Sequence, residues 1–310
     1  MPACLDAVFN LTRPFIPGYF LEEQRGLAAG SGLPERGFQQ LSMMGELTKM
    51  GCTMLGAWGP ATATGGLLQL RALDWDTDGP FQAYPLVLVR HPSAAAEGHA
   101  YASVSYPGMV GAITGYSAAG VAISEKVWLH YTGSFTYAGL PTTFLLREIL
   151  QFDTTLAEAE TRAKAAARTN SIFIGVGAKA DGAFVGMEYA HDSVTVWTDQ
   201  TGPNYGNHTR RDGLVYIDKH TQPDQGDGEW CLDALMAQHY GKLTAVDIVR
   251  EIAALYQTGD AHIAVYDFDR AEMYFAYPSQ SGFPETHAVV KALDRPYTKL
   301  NMTALFSWSA

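Results

Sequence analysis

Cysteine is scarce in this chain: three residues in 310, Cys4, Cys52 and Cys231. Three are too few for a disulfide framework, and their spacing fits no metal site, so neither bridges nor a bound metal is expected to hold the fold. Long apolar runs are missing as well. With no stretch near the roughly 18 residues that a spanning helix needs, no membrane span is expected. Basic residues are outnumbered, 21 Lys and Arg against 32 Asp and Glu, and they cluster only at Arg210-Arg211. The net charge of -11 therefore argues against a nucleic-acid partner. The N-terminus MPACLDAVFNLTRPF lacks a basic start followed by an apolar core, so no secretory leader is read there. Asn is rare too, yet three of the five, Asn10, Asn207 and Asn301, sit in glycosylation sequons. The compartment stays open: secretory or lysosomal if a leader precedes this sequence, cytoplasmic otherwise.

What is present suits a compact enzyme. Hydrophobic residues make up 47% and aromatics 12%, enough to bury one large core or two modest ones. Within that background the dipeptide Gly51-Cys52 stands out. It opens GCTMLGAWGPATATGGLLQLRALDWD, which reads as two antiparallel strands joined through a Gly65-Gly66 turn, with the thiol at the head of the first. Arg71 and Asp74 lie at the end of the second strand, where a hairpin returns them beside the start of the first. An Arg beside a thiol favours the thiolate, and an Asp holds an amine or ammonium. If the Gly51-Cys52 bond were cut, the new α-amino group of Cys52, with a reference pKa of roughly 7.7 to 8, would serve as a base near neutrality. On these residues alone, a buried inert Cys beside a surface ion pair is an equal alternative.

The segment Cys52 to Trp75 resembles the start of the mature chain in the N-terminal-nucleophile cysteine hydrolases, a superfamily that contains choloylglycine hydrolases, penicillin V acylase, acid ceramidase and the penicillin acyltransferases. The wording GCTMLGAWG, ALDWD and YIDKH is most similar to the acyltransferase-type branch called peptidase C45. Cys52, Thr53, Arg71, Asp74 and Trp75 match the family phrase, Ala72 stands where Asn is usual, and the hairpin is about three residues longer than in the ceramidase and choloylglycine branches. The resemblance implies a four-layer αββα sandwich of two antiparallel sheets and cleavage between Gly51 and Cys52. It also implies an oxyanion hole built from an Asn side chain on a later loop and a backbone N–H near a Gly-x-[Asn/Ser] turn. GPNYGNHTRRDG offers Asn204 and Asn207, of which Asn207 is preferred, and ITGYSAAGVAIS offers Ser117. Asn207 also lies in a sequon, and a glycosylated Asn cannot serve as a buried donor.

Along the chain, residues 1–51 read as a helical prosegment, with a Gly-rich turn at Gly30 to Gly32 and Pro34 opening a further helix. Glu46 and Lys49 read as a solvated helix face. Residues 52–310 form the catalytic domain. Its strands are LLQLRALDW, PLVLVRH, HAYASVSY, GAITGY and GVAISEKVWL, and after two helices, Thr142 to Gln151 and Thr155 to Arg168, the run SIFIGVGAKADGAFVGMEYAHDSVTVWT with a turn at Ala180-Asp181-Gly182. Thr155 and Glu158 form a capping-box pair. A second helical pair, Glu229 to His239 and Thr244 to Tyr256, precedes a final hairpin in HIAVYDFDRAEMYFAYP. Ser124, Glu125 and Lys126 read as a strand end. GSFTYAGLP reads equally as a covering loop or an ordinary connection. His208, His220 and His262, with Asp218 and Asp260, show no metal spacing and read as satisfied histidines.

The expected function is an autoprocessed amidase or acyltransferase that acts on a small N-acylated or lipid-like substrate, needs no cofactor or metal, and either keeps or releases its prosegment. Assembly into an oligomer is left open. Two alternatives stand beside it: a phospholipase-B-like esterase with the same nucleophile, and an unprocessed binding protein in which Cys52 is inert.

Overall fold

A computed structural model describes residues 2–47, 51–77, 83–129, 131–202, 208–219, 230–280 and 289–308. Four helices come first: α1 (Pro2–Thr12), α2 (Gly18–Ser31), α3 (Glu35–Ser42) and α4 (Met44–Leu47). The Gly-rich turn is where expected. Gly32 takes φ 71°, a left-handed cap that ends α2 without the steric cost a side chain would bring, and Pro34 leads into α3. Strands follow: β1 (Gly51–Ala57), β2 (Leu68–Asp74), β3 (Leu86–Arg90), β4 (Tyr101–Ser105), β5 (Gly115–Ser117) and β6 (Val121–Val127). Helices α5 (Thr142–Phe152) and α6 (Leu156–Ala165) lead into β7 (Ile172–Ala178), β8 (Ala183–Tyr189), β9 (Val194–Trp197) and β10 (Leu214–Ile217). Helix α7 (Trp230–His239) is followed by one helical run made of α8 (Ala245–Asp247), a π-helical stretch (Ile248–Ala253) and α9 (Ala254–Tyr256). The chain closes with β11 (His262–Asp267), β12 (Glu272–Ala276), β13 (Ser279–Gln280), β14 (Val289–Val290), β15 (Thr298–Asn301) and α10 (Met302–Phe306).

These strands form two large antiparallel sheets. One has the order β10-β1-β2-β11-β12-β15 and the other β3-β4-β5-β6-β7-β8-β9, with β13 and β14 as a separate pair. Three apolar layers follow from side-chain alternation. Between the sheets lie Val104, Tyr116, Ala122, Phe184, Tyr266 and Phe268. Outside the seven-stranded sheet, Val121, Ile123, Ile174 and Val176 meet Phe144, Leu145 and Ile149 of α5. Outside the six-stranded sheet, Leu55, Leu70 and Val265 meet Leu232 and Met236 of α7 and Ile248 and Ile252. The result is the expected four-layer αββα sandwich, an α+β fold. Two glycines set how closely the sheets approach: Phe184 fills the space over Gly56 of β1 and Gly175 of β7, and a β-carbon at Gly56 would collide with its ring.

Several boundaries shift for local reasons. Helix α6 has the expected Thr155–Glu158 capping box, but it stops at Ala165 because Ala166 turns extended and Arg168 Nε donates to Ala190 O at 2.8 Å. The N-terminal helices are not a separate unit. Leu5, Val8, Phe9, Phe20 and Met43 share the core beneath α5; Phe20 stacks on Phe144 with ring centroids 4.1 Å apart, and fully buried Arg147 donates to both oxygens of Glu23 at 2.5 Å. Glu46 is a correction. It is 4% exposed, and Oε1 accepts from the N–H and the hydroxyl of Thr142 at 2.7 and 3.0 Å, so it caps α5 and does not face solvent. Lys49 lies outside the described residues. Among the described residues no helix is long and apolar enough to cross a membrane.

Candidate active site

The β1–β2 hairpin sets the site by register. Gly51 pairs with Asp74, Cys52 with Leu73, Thr53 with Ala72 and Met54 with Arg71. Alternation then puts Cys52 and Arg71 on the same, inner face as diagonal neighbours, with Thr53 and Asp74 on the other. Cys52 has no exposed surface and packs with Leu73, Ile113 and Ala261, with Trp75 and Met109 beside them. Burial pushes its thiol up to about 12, against the opposing pull of the Arg71 charge, so in this state it holds its proton.

Arg71 is also fully buried. It reaches across the inter-sheet space to β6, where Nη2 donates to Glu125 Oε2 at 3.2 Å, while Nε donates to Ile113 O at 3.4 Å. Its guanidinium lies against the Cys52 thiol, and Nη1 is buried with no hydrogen-bond acceptor among the described residues. An unsatisfied donor on a buried cation is costly unless something occupies it, which makes Nη1 an available anchor for a developing negative charge.

Asp74 is held from the outer side. Oδ2 accepts from Thr258 Oγ1 at 2.6 Å and Oδ1 from the Gly259 N–H at 2.8 Å, and Thr258 Oγ1 is also 2.8 Å from Thr53 Oγ1. Burial raises the Asp74 pKa, with the two bonds acting against the rise. The carboxylate is thereby fixed, and the Asp74 β-carbon lies across the strand pair beside Gly51.

Beyond the expected residues, β6 contributes two that read from sequence as a strand end. Glu125 and Lys126 are buried at 4% and 0% exposure. Lys126 Nζ donates to Val127 O at 3.4 Å and stands 5.3 Å over the Phe173 ring. On β11, His262 is fully buried, with Thr114 Oγ1 2.7 Å from Nε2 and Tyr106 Oη 3.1 Å from Nδ1; burial, aided by the Arg71 charge, holds it neutral. It is a satisfied core histidine, as expected. His208 Nε2 and Asp218 Oδ2 are 2.7 Å apart and buried. Among the described residues no three His, Cys, Asp or Glu side chains are grouped as a metal would require.

Ser117 does not belong to this cluster. The β5–β6 pairing sets Gly115 against Ile123 and Tyr116 against Ala122, so Ser117 sits at the turn end of the hairpin. Its hydroxyl accepts from the Val121 N–H at 3.2 Å. Val121 is four residues, about 13 Å of strand, from Glu125. The Gly-x-Ser wording marks the turn of the β5–β6 hairpin, at the Val121 end of β6. Asn204, Asn207 and His220 lie outside the described residues. The signal that would have found Glu125 and Lys126 is an unbroken apolar strand, GVAISEKVWL, that carries two charges near its end with no reason to be solvated.

A buried thiol at the head of a central strand, against an arginine and between two antiparallel sheets with helices outside both, defines this protein's class: an αββα sandwich with an enclosed cysteine. The chain is 37% identical over 317 aligned residues to protein dcd1A of Dictyostelium discoideum, covering 98% of this chain and 71% of that one. It is 36% identical over 315 residues to protein dcd1B of the same organism, covering 98% and 62%. The chain belongs to the family of these two proteins. It spans less than two thirds of dcd1B. No protein-family model matches. Solved structures with similar chain traces include a Caenorhabditis elegans N-acylethanolamine-hydrolyzing acid amidase ortholog (15% identity, TM-score 0.49, 70% of this chain and 93% of that one). Also similar are a variant of the conjugated bile acid hydrolase from Clostridium perfringens (10%, 0.47, 81% and 97%) and penicillin V acylase from Agrobacterium tumefaciens (12%, 0.45, 77% and 84%).

Proposed function

We propose that this chain is the precursor of a self-processing amidase or acyltransferase whose nucleophile is Cys52. The observation that carries the reading is the placement of Cys52, fully buried at the head of β1 directly after Gly51, with Arg71 against its sulfur and Asp74 across the strand pair from Gly51. A nucleophile with no exposed surface reaches no external substrate, but it is covalently joined to the carbonyl of Gly51.

In processing, the sulfur adds to the Gly51 carbonyl carbon, the Gly51-Cys52 C–N bond breaks, and water hydrolyses the thioester, leaving residues 52–310 with a free Cys52 α-amino group. Asp74 then holds that amine at the head of β1. In turnover the amine takes the thiol proton, the thiolate attacks the substrate amide, the protonated amine delivers its proton to the leaving nitrogen, and water or a second amine then takes the acyl group from the sulfur and restores the thiol. Arg71 stabilises thiolate and oxyanion, its open Nη1 supplying a charged donor. Asn207 is our proposed second oxyanion donor; a preorganised donor of this kind is worth about 3 to 4 kcal/mol.

A groove of about 820 Å³ lies between α2 and the β3–β4 edge. Leu27, Leu88, Tyr101 and Met109 line it beside Glu23, Arg90 and His91, and Met109 also packs against the Cys52 cluster. A small N-acylated or lipid-like compound fits that lining. Intact-mass analysis of the purified chain tests the reading: we expect a fragment beginning at Cys52, and one uncut chain for Cys52→Ala. Cutting that persists in the Ala variant would assign the cut to an outside protease. The processed protein is then assayed against N-acyl amino acids, ceramides and penicillins.

A further inference from the structure

Before the cut, Cys52 has an amide nitrogen in place of an α-amino group, so the base of the mature enzyme does not yet exist. Something else must take the thiol proton, because burial holds that proton firmly. The charges that act on the thiol are Asp74 of β2 and Glu125 and Lys126 of β6, with Arg71 as the fixed cation. His262 of β11 pairs with Leu73, the strand partner of Cys52. Lys126 stands on the inner face of β6 over Phe173, which packs against Met54, two residues along β1 from Cys52 on the same face. Asp74 lies on the opposite face of the hairpin and accepts from Thr258 and Gly259. Glu125 is paired with Arg71. The single lone pair of neutral His262 is engaged, since both ring nitrogens have partners in Thr114 and Tyr106. Lys126 is different. Its one hydrogen bond among the described residues is donated to Val127 O, which uses an N–H and leaves the nitrogen lone pair of the neutral amine open.

We propose that Lys126 is the general base of the self-cutting step, the role the α-amino group of Cys52 takes over once the bond is broken. This rests on the reading of Gly51-Cys52 as a self-cut bond. Neutral Nζ takes the Sγ proton; the sulfur lone pair forms the C–S bond to Gly51 while the carbonyl π pair moves to oxygen. Collapse breaks the C–N bond, the electron pair goes to the Cys52 nitrogen, and the Lys126 ammonium returns the proton there. Water hydrolyses the thioester to the Gly51 carboxyl and the Cys52 thiol. One water is consumed and Lys126 ends neutral. Its surroundings suit the cycle: burial lowers the Lys126 pKa, which makes the neutral form accessible, while Cys52 is the strongest of the charge partners, ahead of Asp218, Glu125 and Asp74, that support the charged form.

The test follows self-cutting of the full chain on denaturing gels, with wild type, Lys126→Met, Lys126→Arg and Lys126→Ala in parallel. We expect Met and Arg variants that melt near the wild type to cut at least about a hundredfold more slowly, the usual scale of general-base catalysis. Methylamine added to the Ala variant should restore part of the rate. Arg keeps the charge without a usable lone pair, so wild-type cutting by Lys126→Arg would make the contribution purely electrostatic and overturn the assignment, as would near-normal cutting by Lys126→Met. Should the variants not fold, ¹³Cε spectra of lysine-labelled Cys52→Ala precursor decide the question, because a Lys126 charged throughout the pH range in which wild type cuts is no base. If the wild-type chain itself is never cut, the self-cutting reading fails first.

Discussion

Asp74 lies directly across the β1–β2 pair from Gly51, its carboxylate fixed by the Thr258 hydroxyl at 2.6 Å and the Gly259 N–H at 2.8 Å. Under the proposed reading, this carboxylate holds the amine that the cut creates. Asp74→Asn keeps the size and one acceptor oxygen but loses the charge. We expect turnover to fall at least about tenfold, roughly 1.4 kcal/mol of barrier, with a smaller change in melting temperature. Full turnover by a folded Asn variant would reduce Asp74 to a fastener between β2 and the loop before β11.

Arg71 and Glu125 form a buried pair, and removing one partner leaves the other charge uncompensated. Arg71→Met should cost about 3 to 5 kcal/mol in urea unfolding, and adding Glu125→Gln should recover much of that. Processing should not recover with the stability. A double variant that regains both would show that the pair serves the fold alone.

Glu46 sets a pH dependence. Burial raises its pKa, with the Thr142 bonds opposing the rise, so the folded chain holds this proton at pH values where the unfolded chain has released it. Stability from this group is complete below the ordinary carboxylate range and is lost as pH rises through the folded-state pKa. Comparing Cys52→Ala with Cys52→Ala/Glu46→Gln from pH 4 to 8, we expect the Gln form to lose less melting temperature as pH rises. Parallel curves would mean that Glu46 titrates alike in both states.

The N-terminal helices share the core of the seven-stranded sheet, so cutting at Gly51 should not release them. The two fragments should elute together in size exclusion and separate only under denaturation. Phe20→Ala, which removes the ring stacked on Phe144, should cost about 3 to 5 kcal/mol and loosen this association. Early elution of a free N-terminal piece from the wild type would contradict the packing.

Ser117→Ala should process and turn over within twofold of wild type, because it removes only the hydroxyl that accepts from the Val121 N–H, a bond worth about 1 kcal/mol, and leaves the Ser117 backbone N–H in place. Asn207→Ala should lose about a hundredfold in kcat while folding normally. A glycan found on Asn207 by mass spectrometry would remove it from the site, and strong loss in a folded Ser117→Ala would show that the hydroxyl itself serves the reaction.

Much of this molecule follows from local pattern. The period-two runs around Gly65-Gly66 define the β1–β2 hairpin, and that hairpin alone brings Arg71 and Asp74 back to Gly51-Cys52. The Thr155–Glu158 capping box starts α6 as its residues require. Charge partners across sheets have no such local signature. Glu125, Lys126 and His262 are buried in the same region as the thiol because β6 packs against β1 and because β11 pairs with β2 from nearly two hundred residues away. Glu46 sits inside the core, where a helix pattern reads it as solvated, because a helix N-terminus from another part of the chain supplies its donors. Ser117 is a further case: a Gly-x-Ser turn looks the same in sequence at either end of a strand, and only register places this one at the Val121 end of β6, away from Glu125. Sequence determines which strands form and which faces are apolar, since those depend on neighbours two to four residues apart; which charges are buried together depends on how the sheets stack, and only the tertiary structure decides that.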